Sequence, residues 1–382
     1  MRQKATSLFA VLLLLAAGVA PVGAVVGTGV EASAVQSNCS FPVTATDATG
    51  TEVTVEQKPE NVVTLGPSEA QTMWEIGGKS QVVGLTKYAS YLDGSDSRTN
   101  VSGAGRSYVN VEKVVAEDPG IVLAANIVSN ETVQKLRDAG LTVYKFEKAK
   151  SLEDIYAKTT LVGELTGNCE GASETLSWMK DRISTVRSAV EGSDAPRVFV
   201  SQGAGWTAGE NTFINRMVEL AGGNNVAVEA NVSGYGKISE EVIVAQNPEW
   251  IVQLGAFGAY PKTDAYNGTD AVKNGRVMTV SNQNVSQPAP RVVYAIVKMA
   301  EAFHPDAFAA ANATTTASET TTTQPTESTT ESAPETTTEG AMEGDSTETT
   351  TDAEDSTGGT PGFGVPVALA ALAGAAMLAR RR

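Results

Sequence analysis

The chain has 382 residues, with 28 Lys and Arg against 44 Asp and Glu, a net charge of −16 and a sequence pI near 4.6. So acidic a chain argues against nucleic acid as a partner, because a polyanion is repelled by a surface of its own sign. A single histidine, His304, rules out a metal centre built on several histidines, and neither a phosphate-binding GxxxxGKS/T nor a strand-linked GxGxxG is present.

Arg2 and Lys4 precede an apolar run from Leu8 to Ala20 and the small residues Val22 and Ala24. This is the pattern of an export signal over 1–24, with a later cut near Ala34 as the alternative. In an exported chain, Cys39 and Cys169 are read as a disulfide. NVVTL (61–65) is expected to be a strand, and SEAQTMWEI (68–76) a helix stopped by Gly77-Gly78. In VNVEKVVAEDPGIVLA (109–124), Asn110 caps a short helix carrying Glu112, Pro119 ends it, and Ile121-Val122-Leu123 reads as a buried strand. A further helix and strand follow over 130–146, and connecting helices are expected over 151–195. RVFVS (197–201) then opens a second series, followed by a helix over 211–221 stopped by Gly222-Gly223. ISEEVIVAQNPEWIVQ (238–253) follows, and then a helix and strand over 269–280.

The second series repeats the first. At an offset of 129, Asn110 falls on Ser239, Glu112 on Glu241, Ala116 on Ala245 and Pro119 on Pro248. Each half alternates strands and helices, so the fold class is α/β with two pseudo-equivalent lobes, 41–150 and 196–308. His304, in a His-Pro-Asp turn, reads as a surface residue where a cation suits the end of the last helix. No nucleophile or general base stands out, and neither a cofactor nor an enzymatic activity is expected.

From 311 to 360 the chain holds eleven Asp or Glu and no Lys or Arg among Thr, Ser, Pro, Ala and Gly. That composition cannot bury enough surface to fold, and predicts an extended stalk of the O-glycosylated kind. The last segment, 361–382, is apolar and ends in Arg380-Arg381-Arg382. Pro361-Gly362-Phe363 followed by this tail resembles the archaeal Pro-Gly-Phe sorting signal. The resemblance implies that the tail is exchanged for a lipid anchor; a retained transmembrane anchor is the alternative. Asn-x-Ser/Thr acceptors stand at Asn38, Asn100, Asn130, Asn231, Asn267, Asn284 and Asn312, which together with the acidity suggests a glycosylated surface protein of a halophilic archaeon.

FPVTATDATGTEVTVEQKPENVVTL (41–65), VVGLTKYASYL (82–92), the two glutamate units and TAGENTFINRMVELAGGNNV (207–226) resemble the helical-backbone substrate-binding proteins of ABC importers. These bind cobalamin, ferric siderophores or haem, and the nearest likeness is to the cobalamin binders. The resemblance implies two α/β lobes joined by a long rigid helix, with the ligand in the cleft between them. It implies a cleft lined by Tyr88, Tyr91, Arg106, Tyr108, Trp206, Tyr235, Phe257, Tyr260 and Arg291, whose aromatic faces suit a large flat macrocycle. Arg106 and Tyr235 stand where the cobalamin pattern has tryptophan, and Arg106 and Arg291 also suit an anionic siderophore. Glu112 and Glu241 are implied to dock onto arginines of a dimeric permease that works with its ATPase subunits. The expected role is therefore extracellular capture of a corrinoid, cobalamin, for ATP-driven uptake. The alternatives are a siderophore or haem as the ligand, or a surface adhesion glycoprotein with no transport role.

Overall fold

The computed structural model describes residues 39–104 and 108–322. The export signal, Asn38, Arg106 and the Pro361-Gly362-Phe363 segment therefore lie outside the described residues. A hairpin comes first, β1 (Val43–Thr46) paired antiparallel with β2 (Glu52–Val55). Its turn is fastened to the body by Asp47, which accepts from Thr49, from the backbone N–H of Lys145 and from Arg137 Nη2 at 2.7 Å.

The first lobe runs β3 (Val62–Thr64), α1 (Pro67–Glu75), β4 (Val82–Leu85), β5 (Thr99–Asn100), α2 (Val111–Ala116), β6 (Ile121–Ala124), α3 (Asn130–Asp138) and β7 (Val143–Lys145). Its five strands are parallel, in the order β5-β4-β3-β6-β7. Alternate residues serve opposite faces: Val62, Ile121 and Leu123 enter one core, Val63, Val122 and Ala124 another. A sheet buried on both sides needs such unbroken apolar strands.

Two helices follow, α4 (Leu152–Thr166) and α5 (Cys169–Val190). A single long connecting helix is expected from the family; here the connection is a pair, and each helix packs into both lobes. Val162, Leu165 and Ala172 belong to the first lobe's core, Leu152, Ile155, Met179, Ile183 and Val186 to the second's. A capping box of Ser151 and Asp154 starts α4, and Gly167, at φ 70°, ends it. The Cys39–Cys169 disulfide ties the chain ahead of β1 to the first turn of α5.

The second lobe contains β8 (Arg197–Ser201), β9 (Trp206–Ala208), α6 (Phe213–Leu220), β10 (Asn224–Asn225), α7 (Val226–Glu229), β11 (Tyr235–Lys237), α8 (Glu240–Gln246) and β12 (Trp250–Leu254). Then come α9 (Asp264–Asn267), α10 (Asp270–Lys273), β13 (Val277–Val280), α11 (Asn282–Val285), α12 (Val292–Phe303) and α13 (Pro305–Thr322). Its parallel sheet has the order β10-β8-β12-β13. The duplication extends to backbone angles: Asp118 and Asn247, each just before the repeated proline, have φ 44° and 43°. Beyond the proline the offset of 129 holds: Val122 faces Val63 in the core beneath α2 as Ile251 faces Phe199 in the core beneath α8.

Two expectations are corrected. His304 is 8% exposed, not a surface residue, and its Nε2 meets Gly222 O, the carbonyl just past α6, at 3.2 Å. α13 carries helix to Thr322, so the Thr-rich segment from 311 does not begin as extended chain. Its Ala-rich first turns favour helix, and Phe308 packs against the second core. The remainder of the stalk lies outside the described residues.

Candidate ligand-binding cleft

The carboxyl ends of both parallel sheets face one another. On the first lobe, α1 starts where β3 ends; on the second, the segment after β13 leads through α11 to α12. Side chains cross between them. Gln71 Nε2 donates to Gln283 O at 3.4 Å, and the Arg291 N–H donates to Gln71 Oε1 at 3.2 Å. Arg291 Nε donates to Glu75 Oε1 at 2.7 Å. Ligands of open α/β sheets bind beyond the carboxyl ends of the strands, so the loops there form the candidate site.

From the first lobe, Tyr88 and Tyr108 stack with ring centroids 5.2 Å apart and planes 6° from parallel. Tyr88 is 49% exposed and offers its outer face. Burial pushes the Tyr108 hydroxyl up to about 12, so it stays neutral at pH 7. The Thr86 hydroxyl, at the end of β4, lies beside that of Tyr108, and the Thr64 hydroxyl, at the end of β3, is buried without a hydrogen-bond partner among the described residues. From the second lobe, β9 and β11 form an antiparallel ribbon that sets Lys237 opposite Trp206 and Tyr235 opposite Ala208. Trp206 and Tyr235 are thus diagonal neighbours on one ribbon face, 44% and 56% exposed, with Lys237 Nζ 5.8 Å from the Trp206 ring centroid. Phe257, after β12, is 92% exposed.

Three expected residues have other surroundings. Tyr260 is 5% exposed and packs beside Tyr266, 5.5 Å between centroids, with Lys262 over its ring; it is a core residue. Arg291 is committed to Glu75, so its charge joins the lobes instead of standing free for an anion. Tyr91 is half-buried and its hydroxyl accepts from Gln71 Nε2 at 2.8 Å, placing it at the same junction.

The floor holds a pair that the sequence does not announce. Lys158 Nζ on α4 lies 2.7 Å from Glu69 Oε1 on α1, with side chains 8% and 1% exposed. Lys158 also donates to Pro288 O, at 3.4 Å. At one edge, between the segment leaving the first lobe and the start of α6, lies a cavity of about 500 Å³ lined by Lys148, Lys150, Glu210, Phe213 and Arg216 among others. Among the described residues, no group of three His, Cys, Asp or Glu is placed to hold a metal ion.

Glu112 and Glu241 are both exposed, in the first turns of α2 and α8. Asn110 and Ser239 cap these helices, accepting from the N–H groups of Lys113 and Val242. Hydrogen bonds from its own N–H and from Ser239 hold the Glu241 carboxyl below its ordinary range. Of the glycosylation acceptors, Asn100, Asn130, Asn231, Asn267 and Asn312 are exposed and Asn284 is half-buried.

Comparison with known proteins bears on this arrangement. The periplasmic binding protein family model matches residues 62–283, and the PGF-CTERM motif matches 360–382. A protein of Halobacterium salinarum named "Cobalamin-binding protein" is 46% identical over 354 residues, covering 90% of this chain and 89% of that one. The ABC transporter substrate-binding lipoprotein YvrC of Bacillus subtilis is 29% identical, covering 80% of this chain and 99% of its own. The periplasmic heme-binding protein RhuT from Roseiflexus sp. RS-1 shares the fold, with a TM-score of 0.57 at 22% identity over 65% of this chain and 99% of that one. The C-terminal motif marks an exported surface protein anchored at that end. With the family model matched from the first strand of one lobe's sheet to just beyond the last strand of the other's, the chain belongs to the periplasmic binding protein family.

Proposed function

We propose that the chain captures a corrinoid, cobalamin, in the cleft and delivers it to an ABC permease for ATP-driven uptake. The observation that carries the reading is the near-full-length likeness to the Halobacterium salinarum protein. The exposed faces of Tyr88, Trp206 and Tyr235, drawn from both lobes, support it, since stacked aromatic surface suits a flat macrocycle. Neutral tyrosine hydroxyls suit its amide rim. Arg106 joins this set by its position before the first glutamate helix. The repeated Glu112 and Glu241, one on each lobe, suit a two-fold permease, and a lipid anchor with a glycosylated stalk would hold the binding unit at the outer membrane face.

A thermal-shift titration tests the ligand. At a hundredfold excess over Kd, cobalamin should stabilise the fold by about 2.7 kcal/mol, a rise of roughly 5–10 °C for lobes of this size. Trp206→Ala should weaken cobalamin at least about tenfold while leaving the free protein's Tm in place, because Trp206 is 44% exposed. A shift with haem or a ferric siderophore, and none with cobalamin, would reassign the ligand.

A further inference from the structure

The segment that leaves the first lobe is seated on the second. β7 ends at Lys145, and Ala149, just beyond it, is buried in the second core with Ile214 and Met217 of α6. Lys148 and Lys150 flank that anchor, both exposed, on the wall of the cavity of about 500 Å³. The opposite wall is the start of α6 with Glu210 just before it. Glu210 ties the cavity to the aromatic ribbon. It bridges Ser233, its N–H donates to Val232 O at 2.9 Å, and its carbonyl accepts from the Gly234 N–H at 2.8 Å. Tyr235 opens β11 two residues beyond Ser233, roughly 7 Å along an extended chain. The cavity therefore adjoins the ribbon that carries Trp206 and Tyr235, and both lobes contribute to its wall.

Charge in this cavity is unevenly satisfied. Arg216 pairs with Glu219 at 3.0 Å, and Glu219 also accepts from Asn215 Nδ2 at 2.8 Å. Among the described residues, neither the Lys148 nor the Lys150 ammonium has a carboxylate, carbonyl or ring partner, and Glu210 is the one acid of the lining left unpaired. A solvated surface lysine needs no explanation. Two of them on one wall of a cavity between lobes, in a chain of net charge −16 that repels anions at long range, point to an anionic occupant. Half-buried Phe213 adds apolar surface, and the volume lies within the roughly 300–1,000 Å³ of small-molecule sites.

We propose that this cavity takes the phosphate-bearing nucleotide arm of the bound corrinoid, with Lys148 and Lys150 pairing with the phosphodiester. This rests on the corrinoid reading above. Cobalamin carries its phosphate on an arm at the rim of the macrocycle, so a ring lying on Trp206 and Tyr235 can extend that arm past Ser233 to the lysines. The two lysines then set specificity: they distinguish cobalamin from cobinamide, which lacks the nucleotide.

The test uses the full chain and equilibrium titration with cobalamin and with cobinamide. Exposed charge pairs are individually weak, so Lys148→Met or Lys150→Met should weaken cobalamin about two- to fivefold, and the double variant roughly tenfold. Cobinamide should stay within about twofold, and the Tm of the free protein should not move, because both side chains are exposed. Lys148→Arg/Lys150→Arg keeps both charges and should hold cobalamin within about twofold of wild type. Equal losses for the two ligands, or none for cobalamin, overturn the inference. So does lysine-dependent stabilisation by inorganic phosphate when the double Met variant leaves cobalamin affinity unchanged; the cavity would then hold a free anion. If the wild-type chain binds neither cobalamin nor cobinamide, the corrinoid reading falls, and this inference with it.

Discussion

Replacing Lys158 by Met removes one charge from the floor of the cleft while keeping an unbranched apolar stem of similar length. Lys158 Nζ and Glu69 Oε1 are 2.7 Å apart on side chains 8% and 1% exposed. Without the ammonium, the Glu69 carboxylate keeps the Ser68 hydroxyl, 2.9 Å away, as its only side-chain partner among the described residues. Removing one member of a buried pair costs about 3–5 kcal/mol, because the other charge stays out of water without compensation. At about 1.4 kcal/mol per decade, the ratio of folded to unfolded protein falls by roughly two to four powers of ten. At about 2–4 °C per kcal/mol for a fold of this size, Tm falls roughly 6–20 °C. Urea denaturation of wild type, Lys158→Met, Glu69→Gln and the double variant closes a cycle. The double variant should be more stable than the sum of the single losses predicts, since it leaves no isolated buried charge. A loss under about 1 kcal/mol for Lys158→Met, or losses additive within about 0.5 kcal/mol, would show that the pair is solvated and carries no coupling.

Asp47→Asn should cost about 3 kcal/mol at pH 7, because it breaks the 2.7 Å pair with Arg137 that fastens the hairpin. Burial alone would raise the Asp47 carboxyl, but hydrogen bonds from Thr49, Lys145 and Arg137 hold it below the usual range. Its contribution is thus complete above the unfolded value near 3.9 and is lost as pH falls through the lower folded value. Urea midpoints of the variant and wild type should converge below about pH 4; a gap of constant size would contradict this. Opening the Cys39–Cys169 bond, with a sequence separation of 130, should cost about 5 kcal/mol by the chain-entropy model. An unchanged Tm in the Cys39→Ser/Cys169→Ser variant would show that the bond constrains nothing.

Much of the frame is legible in the sequence because its signals are local. Asn110 and Ser239 cap, Pro119 and Pro248 stop, and the apolar runs between turns give the strands; each signal needs only a few consecutive residues. What is missed depends on partners distant in sequence. Glu69 and Lys158 are 89 residues apart, and each reads alone as a solvated charge on a helix. Arg291 looks free until Glu75, 216 residues earlier, is brought beside it. Tyr260 reads as a loop aromatic, since nothing local shows that Tyr266 folds back against it.

The two lobes agree where the frame is built and differ where a ligand would be told apart. The capped helices bearing Glu112 and Glu241, and the positive-φ residues Asp118 and Asn247 before the repeated prolines, recur, because each is fixed by backbone geometry that duplication copies. The aromatic surfaces do not recur. In the first lobe, β3 passes through Leu65 and Gly66 directly into α1, and the aromatic surface comes from the loops after β4 and β5 as the Tyr88–Tyr108 stack. In the second lobe, β9 intervenes between β8 and α6 and pairs with β11, so Trp206 and Tyr235 ride on a ribbon that the first lobe lacks. The floor is equally one-sided, since the Lys158 ammonium pairs with Glu69 of the first lobe at 2.7 Å and donates to Pro288 O of the second at a longer 3.4 Å. A pseudo-symmetric frame suits a two-fold permease, but cobalamin, the ligand proposed above, has unlike faces and a single nucleotide arm. Recognition therefore has to come from the parts that break the symmetry, and substitutions in the β9–β11 ribbon should change which ligand is preferred more than substitutions at the repeated positions do.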